Sequence, residues 1–361
     1  MLVHICCAVD SHYFLQKLRE AYPDKPLRGF FYDPNIHPYS EYRLRLLDVQ
    51  RSCRKLGIEL IEGEYDYEGW IEAVRGLENE PEKGARCDFC FDNRLERTAQ
   101  KAQELGEKEI TTTLLTSPKK SIEQLTESGR FIQNRYGVEF VAVDFRQKGG
   151  TQEQFAMARE EKLYHQDYCG CLYALRMQRD EQQRLADELF SSITAQIQPE
   201  SIEDRIALYT RRMALEEEGK AYKIVREKFL NYRLLRAYVK RSGEVIPSYL
   251  LPYSTLKRKF TKFRITEKIE DLYFTNREEI VIITLDYFNQ LIDKKYKKIE
   301  DIIKAPPLFE EEMAARNKIV YNFLSLTPVI VLENIDMSAP HQLYLDAHIY
   351  EDVREHLATF G

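Results

Sequence analysis

Through the first half of this chain, short β-branched or aromatic runs trade places with amphipathic stretches, three of which stop at a glycine. Leu2–Ile5 has the composition of a strand, a helical pattern occupies the region near Tyr13–Ala21, and Leu27–Tyr32 is the next strand. Ser40 is placed to N-cap a helix running to about Lys55, and Gly57 supplies its left-handed stop. Strand Ile58–Ile61 follows. After a loop come a helix near Asn93–Leu105 ending at Gly106, strand Glu109–Leu115, helix Ser121–Tyr136 ending at Gly137, and strand Val138–Val143. This rhythm predicts an α/β fold: a mostly parallel sheet with helices on both faces.

The chain is 361 residues long and 43% hydrophobic, enough for two packed domains at roughly 100–200 residues each. The expected division is 1–185 and 186–361. Beyond about Asp187 the alternation fades. Residues 201–240 show helical spacing, and Glu278–Leu285 and Val329–Leu332 look like strands, so the second domain is expected to be α+β or mainly helical. Lys304-Ala-Pro-Pro307 is a short stiff joint. With 53 basic and 59 acidic groups the net charge is −6, which excludes a global basic field for nucleic acid and leaves only local sites. No run reaches about 18 uninterrupted apolar residues, and the start lacks a basic region followed by an apolar stretch. A soluble, cytoplasmic protein with no membrane partner is expected.

Seven cysteines are too few and too scattered for a secreted disulfide scaffold, and all lie in the first half. Six form close pairs: Cys6-Cys7, Cys87-x-x-Cys90 and Cys169-x-Cys171. Thiolates bind metal when several converge, and loops at the carboxyl ends of parallel strands do converge. Six exceed the four ligands of one zinc, and neighbours in an extended chain point to opposite faces, so Cys6 and Cys7 are awkward partners on one ion. Two adjacent centres fit better, with Asp10 as a hard oxygen ligand to the second. A structural zinc on two of the pairs is the simpler alternative. Cys53, alone in mid-helix, reads as a small buried apolar residue.

The turn Val3–Ser11 sits where nucleotide-binding α/β proteins cradle phosphate. ATP-using tRNA enzymes of the pyrophosphatase type carry Ser-Gly-Gly-x-Asp-Ser there. This turn has Cys6-Cys-Ala-Val-Asp10-Ser11 and no glycine, so Cβ atoms and thiolates stand where phosphate would lie.

Together, Cys6-Cys-Ala-Val-Asp10, Phe31-Tyr-Asp-Pro-Asn35-Ile-His-Pro-Tyr-Ser-Glu41-Tyr-Arg43, Arg86-Cys-Asp-Phe-Cys90-Phe and Tyr168-Cys-Gly-Cys-Leu-Tyr173 resemble the QueH-type epoxyqueuosine reductases over about the first 180 residues. The resemblance implies a fold related to the nucleotide-binding, HUP-like α/β group, a [4Fe-4S] cluster and an adjacent mononuclear metal, expected to be iron. It implies that epoxyqueuosine at the wobble position of tRNA is reduced to queuosine, the last step of that modification, without cobalamin and with electrons from a donor that the sequence does not name. Carried over position by position, the ligands are Cys6, Cys7, Asp10, Cys87, Cys90, Cys169 and Cys171, not partitioned between the two centres. Val9 stands where the family more often has proline. The last 175 or so residues lie outside the resemblance.

Losing the epoxide oxygen to leave an alkene takes two electrons, two protons and release of water. In this scheme a cluster passes electrons singly while a neighbouring ion, held in part by the candidate catalytic residue Asp10, polarises the epoxide oxygen. Tyr32, Asn35, Tyr42 and Arg43 are the candidate contacts to the nucleoside. His12, His37, Tyr32 and Tyr39 lie near in sequence as proton donors, though such residues more often pack. Between Lys220 and Arg264, thirteen Lys or Arg face two acidic residues, Glu227 and Glu244, with aromatics interleaved, a composition that suits tRNA or a helix with its aromatics in the core. The competing readings are a zinc-stabilised RNA-binding protein and an ATP-dependent tRNA-modifying transferase.

Overall fold

The computed structural model describes every residue except Lys119, Ser191, Ile193, Thr194, Ala195, Glu278, Tyr321, Phe323 and Gly361. It resolves into two compact units, one of Met1–Phe190, Arg205–Ile224 and Leu357–Gly361, the other of Ser191–Asp204 and Val225–His356. Among the described residues no helix is long and apolar enough to cross a membrane.

The first unit is built on strands β1 (Leu2–Ile5), β2 (Arg28–Phe31), β3 (Glu59–Glu62), β4 (Glu109–Thr112) and β5 (Glu139–Phe140). Their order is β3-β2-β1-β4-β5 and every pairing is parallel. All four residues of β1 are buried, as a central strand covered on both faces demands. Even its histidine is absorbed: the two ring nitrogens of His4 bond Thr112 Oγ1 at 2.8 Å and the Tyr32 carbonyl at 3.0 Å. Burial, aided by Arg94, lowers its pKa to about 3, so the ring is neutral.

Helices α1 (Ala8–Ala21), α2 (Tyr39–Leu56), α3 (Tyr67–Ala73), α4 (Ala85–Leu105), α5 (Ile122–Tyr136), α6 (Gly150–Glu160) and α7 (Leu172–Glu181) complete that layer structure, and α8 (Ile202–Glu217) follows. Gly57, Gly106 and Gly137 end α2, α4 and α5 in the left-handed conformation, as expected. Two expectations change. Helix α2 starts at Tyr39 with Pro38 as its cap, so Ser40 lies inside the first turn. Helix α4 begins eight residues before Asn93, which puts Cys87 and Cys90 on a helix rather than a loop. Cys169 and Cys171 directly precede α7. Arg212 of α8 is fully buried and reaches Asp48 of α2 at 2.6 Å, while the other Asp48 oxygen accepts the Tyr164 amide.

The second unit is α+β. Strands β6 (Tyr222–Arg241), β7 (Glu244–Ile246), β8 (Ser248–Leu250), β9 (Phe260–Phe263), β10 (Ile265–Ile269), β11 (Leu272–Thr275) and β12 (Val281–Thr284) precede α9 (Leu285–Ile292), α10 (Ile299–Lys304) and α11 (Phe309–Ile319), and β13 (Val329–Leu332) and β14 (His341–Thr359) close the chain. They form sheets of order β10-β11-β12-β13-β8 and β7-β6-β14-β9. The expected strand at Glu278–Leu285 is β12; Glu278 itself lies outside the described residues. The helical spacing read over 201–240 is right for α8 and wrong beyond it, where β6 is a 20-residue strand.

Candidate metal centre

Strand β1 delivers Cys6 and Cys7 to the start of α1, where Cys7 is the N-cap and Asp10 sits in the first turn. The two sulfurs are 3.9 Å apart, and both lie with an Asp10 oxygen inside a 4.8 Å triad of buried ligand atoms. The expectation that adjacent cysteines diverge fails because the strand ends at Ile5 and the chain bends at Cys6, so the two thiols do not alternate across an extended run. The position is the crevice between β1 and β4, where strand order reverses, the usual ligand site of open parallel sheets.

Cys87 and Cys90 are three apart on the first turns of α4, on one face of its amino-terminal end. Arg86 pins that end by donating through Nη1 to the carbonyls of Leu77 and Glu78, both at 2.9 Å. Cys171 is the N-cap of α7. Three helix amino termini therefore present thiols, and the positive end of each helix dipole favours the thiolate form.

The Cys169-Gly-Cys171 hook is held against the segment after β2. Ile36 bridges Cys171, the His37 amide donates to the Gly170 carbonyl at 2.9 Å, and Tyr168 Oη donates to the His37 carbonyl at 2.7 Å. Arg45, paired with Glu41 at 2.7 Å, donates to the carbonyls of Tyr168 and Cys169 at 2.9 and 3.2 Å. Gly170 has φ +102°, and a Cβ there would stand 2.7 Å from Ile36 Cγ1. A larger residue would break the hook.

One cavity is lined by Cys6, Asp10, Cys87, Cys90, Cys169 and Cys171, with Cys7 just beyond its wall in the triad. Four cations, Arg45, Arg86, Arg94 and Lys120, also line it. Burial lifts the Asp10 carboxyl to about 6, against hydrogen bonds from Cys7 and Gln154. Contact with Cys6 and burial raise the Cys7 thiol, burial raises Cys90 against the pull of Arg94, and burial lifts Cys171 to about 12. Without a cation these thiols hold their protons; a metal would displace them. Burial would favour discharge of Lys120, but the neighbouring Cys169 and Cys87 side chains outweigh it and raise its pKa. The donor set, soft sulfur with one carboxylate in a largely buried pocket, fits a thiophilic metal group. Residues that line the cavity also carry buried polar atoms without hydrogen-bond partners among the described residues, including Trp70 Nε1 and Gln166 Oε1.

Of the candidate nucleoside contacts, Asn35 lines the cavity and accepts a hydrogen bond from Arg94. Tyr32, Tyr42 and Arg43 are not part of that lining. Tyr32 stacks on Phe30 in the core; Tyr42 is buried against Phe31 and Tyr65; Arg43 is half exposed, 3.8 Å from Glu62. His12 is spent on Ser52 at 2.8 Å, and Cys53 is buried in α2, as expected. Sequence reasoning missed Arg45, Arg94, Lys120, Gln154 and Trp70. Arg94, four residues past Cys90, was open to discovery from helical spacing; Gln154 was not, because only the fold brings its amide 2.7 Å from Asp10.

The family model for epoxyqueuosine reductase QueH matches residues 1–177. Epoxyqueuosine reductase QueH of Helicobacter pylori is 41% identical over 347 residues, covering 92% of this chain and 94% of that protein. The chain belongs to the QueH family. QueH of Acinetobacter baylyi is 38% identical over 49% of this chain and 80% of its own length, and that of Thermotoga maritima 36% identical over 50% and 92%. The family model stops at residue 177, inside the first unit, but the H. pylori QueH follows this chain through most of what comes after, so the second half is not foreign to the family.

Proposed function

We propose that this chain is an oxidoreductase that reduces epoxyqueuosine to queuosine in tRNA, at a site made by Cys6, Cys7, Asp10, Cys87, Cys90, Cys169 and Cys171. The observation that carries the reading is the single cavity in which six of these seven side chains meet, in a chain alike over nearly its whole length to a named epoxyqueuosine reductase. The seven residues would hold a [4Fe-4S] cluster and an adjacent iron ion, which when bound supply single electrons and a Lewis acid for the epoxide oxygen.

The chain's own residues do the rest. Arg45, Arg86, Arg94 and Lys120 offset thiolate charge that burial would otherwise forbid. Gln154 donates to Asp10 and so fixes which carboxylate oxygen faces the sulfurs. The Trp70 indole N–H and the Gln166 amide oxygen are polar groups left for the nucleoside, and Asn35 lines the same cavity. Lys120 Nζ carries a proton at the cavity wall. The buried walls keep bulk water from the reacting centre. In this reading the residues after 185 help to hold the tRNA.

The test is nucleoside mass spectrometry of epoxyqueuosine-containing tRNA incubated anaerobically with iron-loaded protein and a chemical reductant. Queuosine is the expected product. Intact epoxide throughout would end the reading.

A further inference from the structure

The outer face of the four-stranded sheet β7-β6-β14-β9 carries side chains that no step at the metal centre uses. Period-two alternation divides the Arg236–Lys240 part of β6 and the stretches of β14 and β9 that pair with each other. Val239, Phe263, Leu343 and Leu345 point inward to a buried apolar cluster. Their neighbours on the opposite face are Arg236, Tyr238 and Lys240 of β6, Tyr344 of β14, and Phe260 and Lys262 of β9; the register pairs Tyr344 with Phe260.

The rings are arranged rather than scattered. Tyr238 and Tyr344 stack with centroids 5.2 Å apart and planes 8° off parallel, and Phe260 is 45% exposed. The Arg236 guanidinium lies over both tyrosines, 5.5 and 5.7 Å from their centroids, and Lys240 Nζ is 5.8 Å from Tyr238. Arg236 and Lys262 are exposed, and Lys257 and Arg258 lead into the edge strand. The acidic member of this face, Asp346, is paired with Lys259 at 2.7 Å. In a chain of net charge −6, a solvated sheet face of aromatics and cations has one good complement: unpaired bases on a phosphate backbone.

We infer that this sheet face binds single-stranded nucleotides of RNA, with Tyr238, Tyr344 and Phe260 stacking on bases and Arg236, Lys240 and Lys262 pairing with phosphates. The inference rests on the reading that tRNA is the substrate and names the surface of this chain that grips it. A second copy of the chain would need an apolar patch with few charges, which this face is not.

The experiment uses the full chain, fluorescein-labelled oligouridine and an unmodified tRNA transcript, with anisotropy read across a salt series. Replacing the rings (Tyr238→Ala, Tyr344→Ala, Phe260→Ala together) should weaken oligouridine binding about tenfold or more. The pair Tyr238→Phe and Tyr344→Phe keeps the stacking surface, reports that the sheet still folds, and should bind like the parent. Neutralising the cations (Arg236→Gln, Lys240→Gln, Lys262→Gln) should flatten the log affinity against log salt slope by about 2 units. Parent-like affinity and slope in both sets overturn the inference, as does a shift in oligomeric state with no loss of RNA binding. Epoxide reduction is measured in parallel. Turnover by the parent together with parent-like KM and affinity in every variant leaves the reductase reading standing and removes this one. No turnover by iron-loaded parent, with RNA binding that still depends on the face, does the reverse.

Discussion

The cysteine cavity of the first unit and the outer sheet face of the second are furnished alike, with guanidinium groups over tyrosine rings, and burial makes them do different work. In the cavity, Arg45 lies 5.3 Å from the Tyr168 ring and Arg86 5.5 Å from that of Tyr173. Both guanidinium groups are buried and committed to backbone carbonyls that place cysteines. On the sheet face the same pairing is exposed to water and has no such duty. Arginine in a dry pocket builds geometry at high cost if disturbed; arginine on a wet face supplies a screened, long-range field.

The comparison predicts a hierarchy of effects. The largest is at the sulfurs: Cys90→Ser should lower bound iron and cut epoxide reduction by roughly a thousandfold or more, read by metal analysis and product formation, since a hydroxyl is a poor substitute for a soft ligand. Next come the paired arginines. Arg45→Met leaves Glu41 buried and two carbonyls unbonded, and should destabilise the protein by about 3–5 kcal/mol in denaturant melts, whereas Arg236→Met should cost under about 0.5 kcal/mol. Equal losses at the two sites would erase the distinction. Gln154→Leu should weaken metal retention by roughly 10–100-fold against a chelator while the fold persists, because Asp10 loses the amide that orients it.

The last effect separates the two units by pH. Glu312 in α11 accepts a hydrogen bond from Tyr249, has a second oxygen without a partner, and is raised by burial from 4.5 to about 8. The folded chain thus holds a proton that the unfolded chain releases, so this group's contribution to stability falls as pH rises from about 4.5 to 8. Glu312→Gln keeps an acceptor for Tyr249 and removes the titration. Its melting temperature should match the parent near pH 5 and exceed it near pH 8; parallel curves would contradict the assignment.

Much of the first unit was legible because its signals are local. Alternating apolar runs, left-handed glycines and paired cysteines each act within a few residues. What escaped did so for identifiable reasons. The start of α4 lacks a polar cap: Gly84 serves, and Arg86-Cys-Asp-Phe-Cys90 reads as loop until Arg86 is seen holding Leu77 and Glu78. Strand β6 was read as helix because its apolar residues at 225, 229, 230 and 232 fit a helical face, and Asn231–Arg233 are all buried where alternation should show. Tyr32 and Tyr42 looked like nucleoside contacts because their motif is distinctive, yet the motif's work includes core packing and the Arg45 clamp. The cavity's cations came from α2, α4 and the segment before α5, a convergence that no window of sequence contains.

The account turns on seven side chains sharing one metal-loaded pocket. Iron and acid-labile sulfide analysis of anaerobically purified protein, with paramagnetic resonance after reduction, tests that most directly. About five irons and four sulfides per chain are expected, with the sulfide lost in Cys90→Ser. Colourless protein holding one zinc and no sulfide, before and after anaerobic reconstitution, would contradict it.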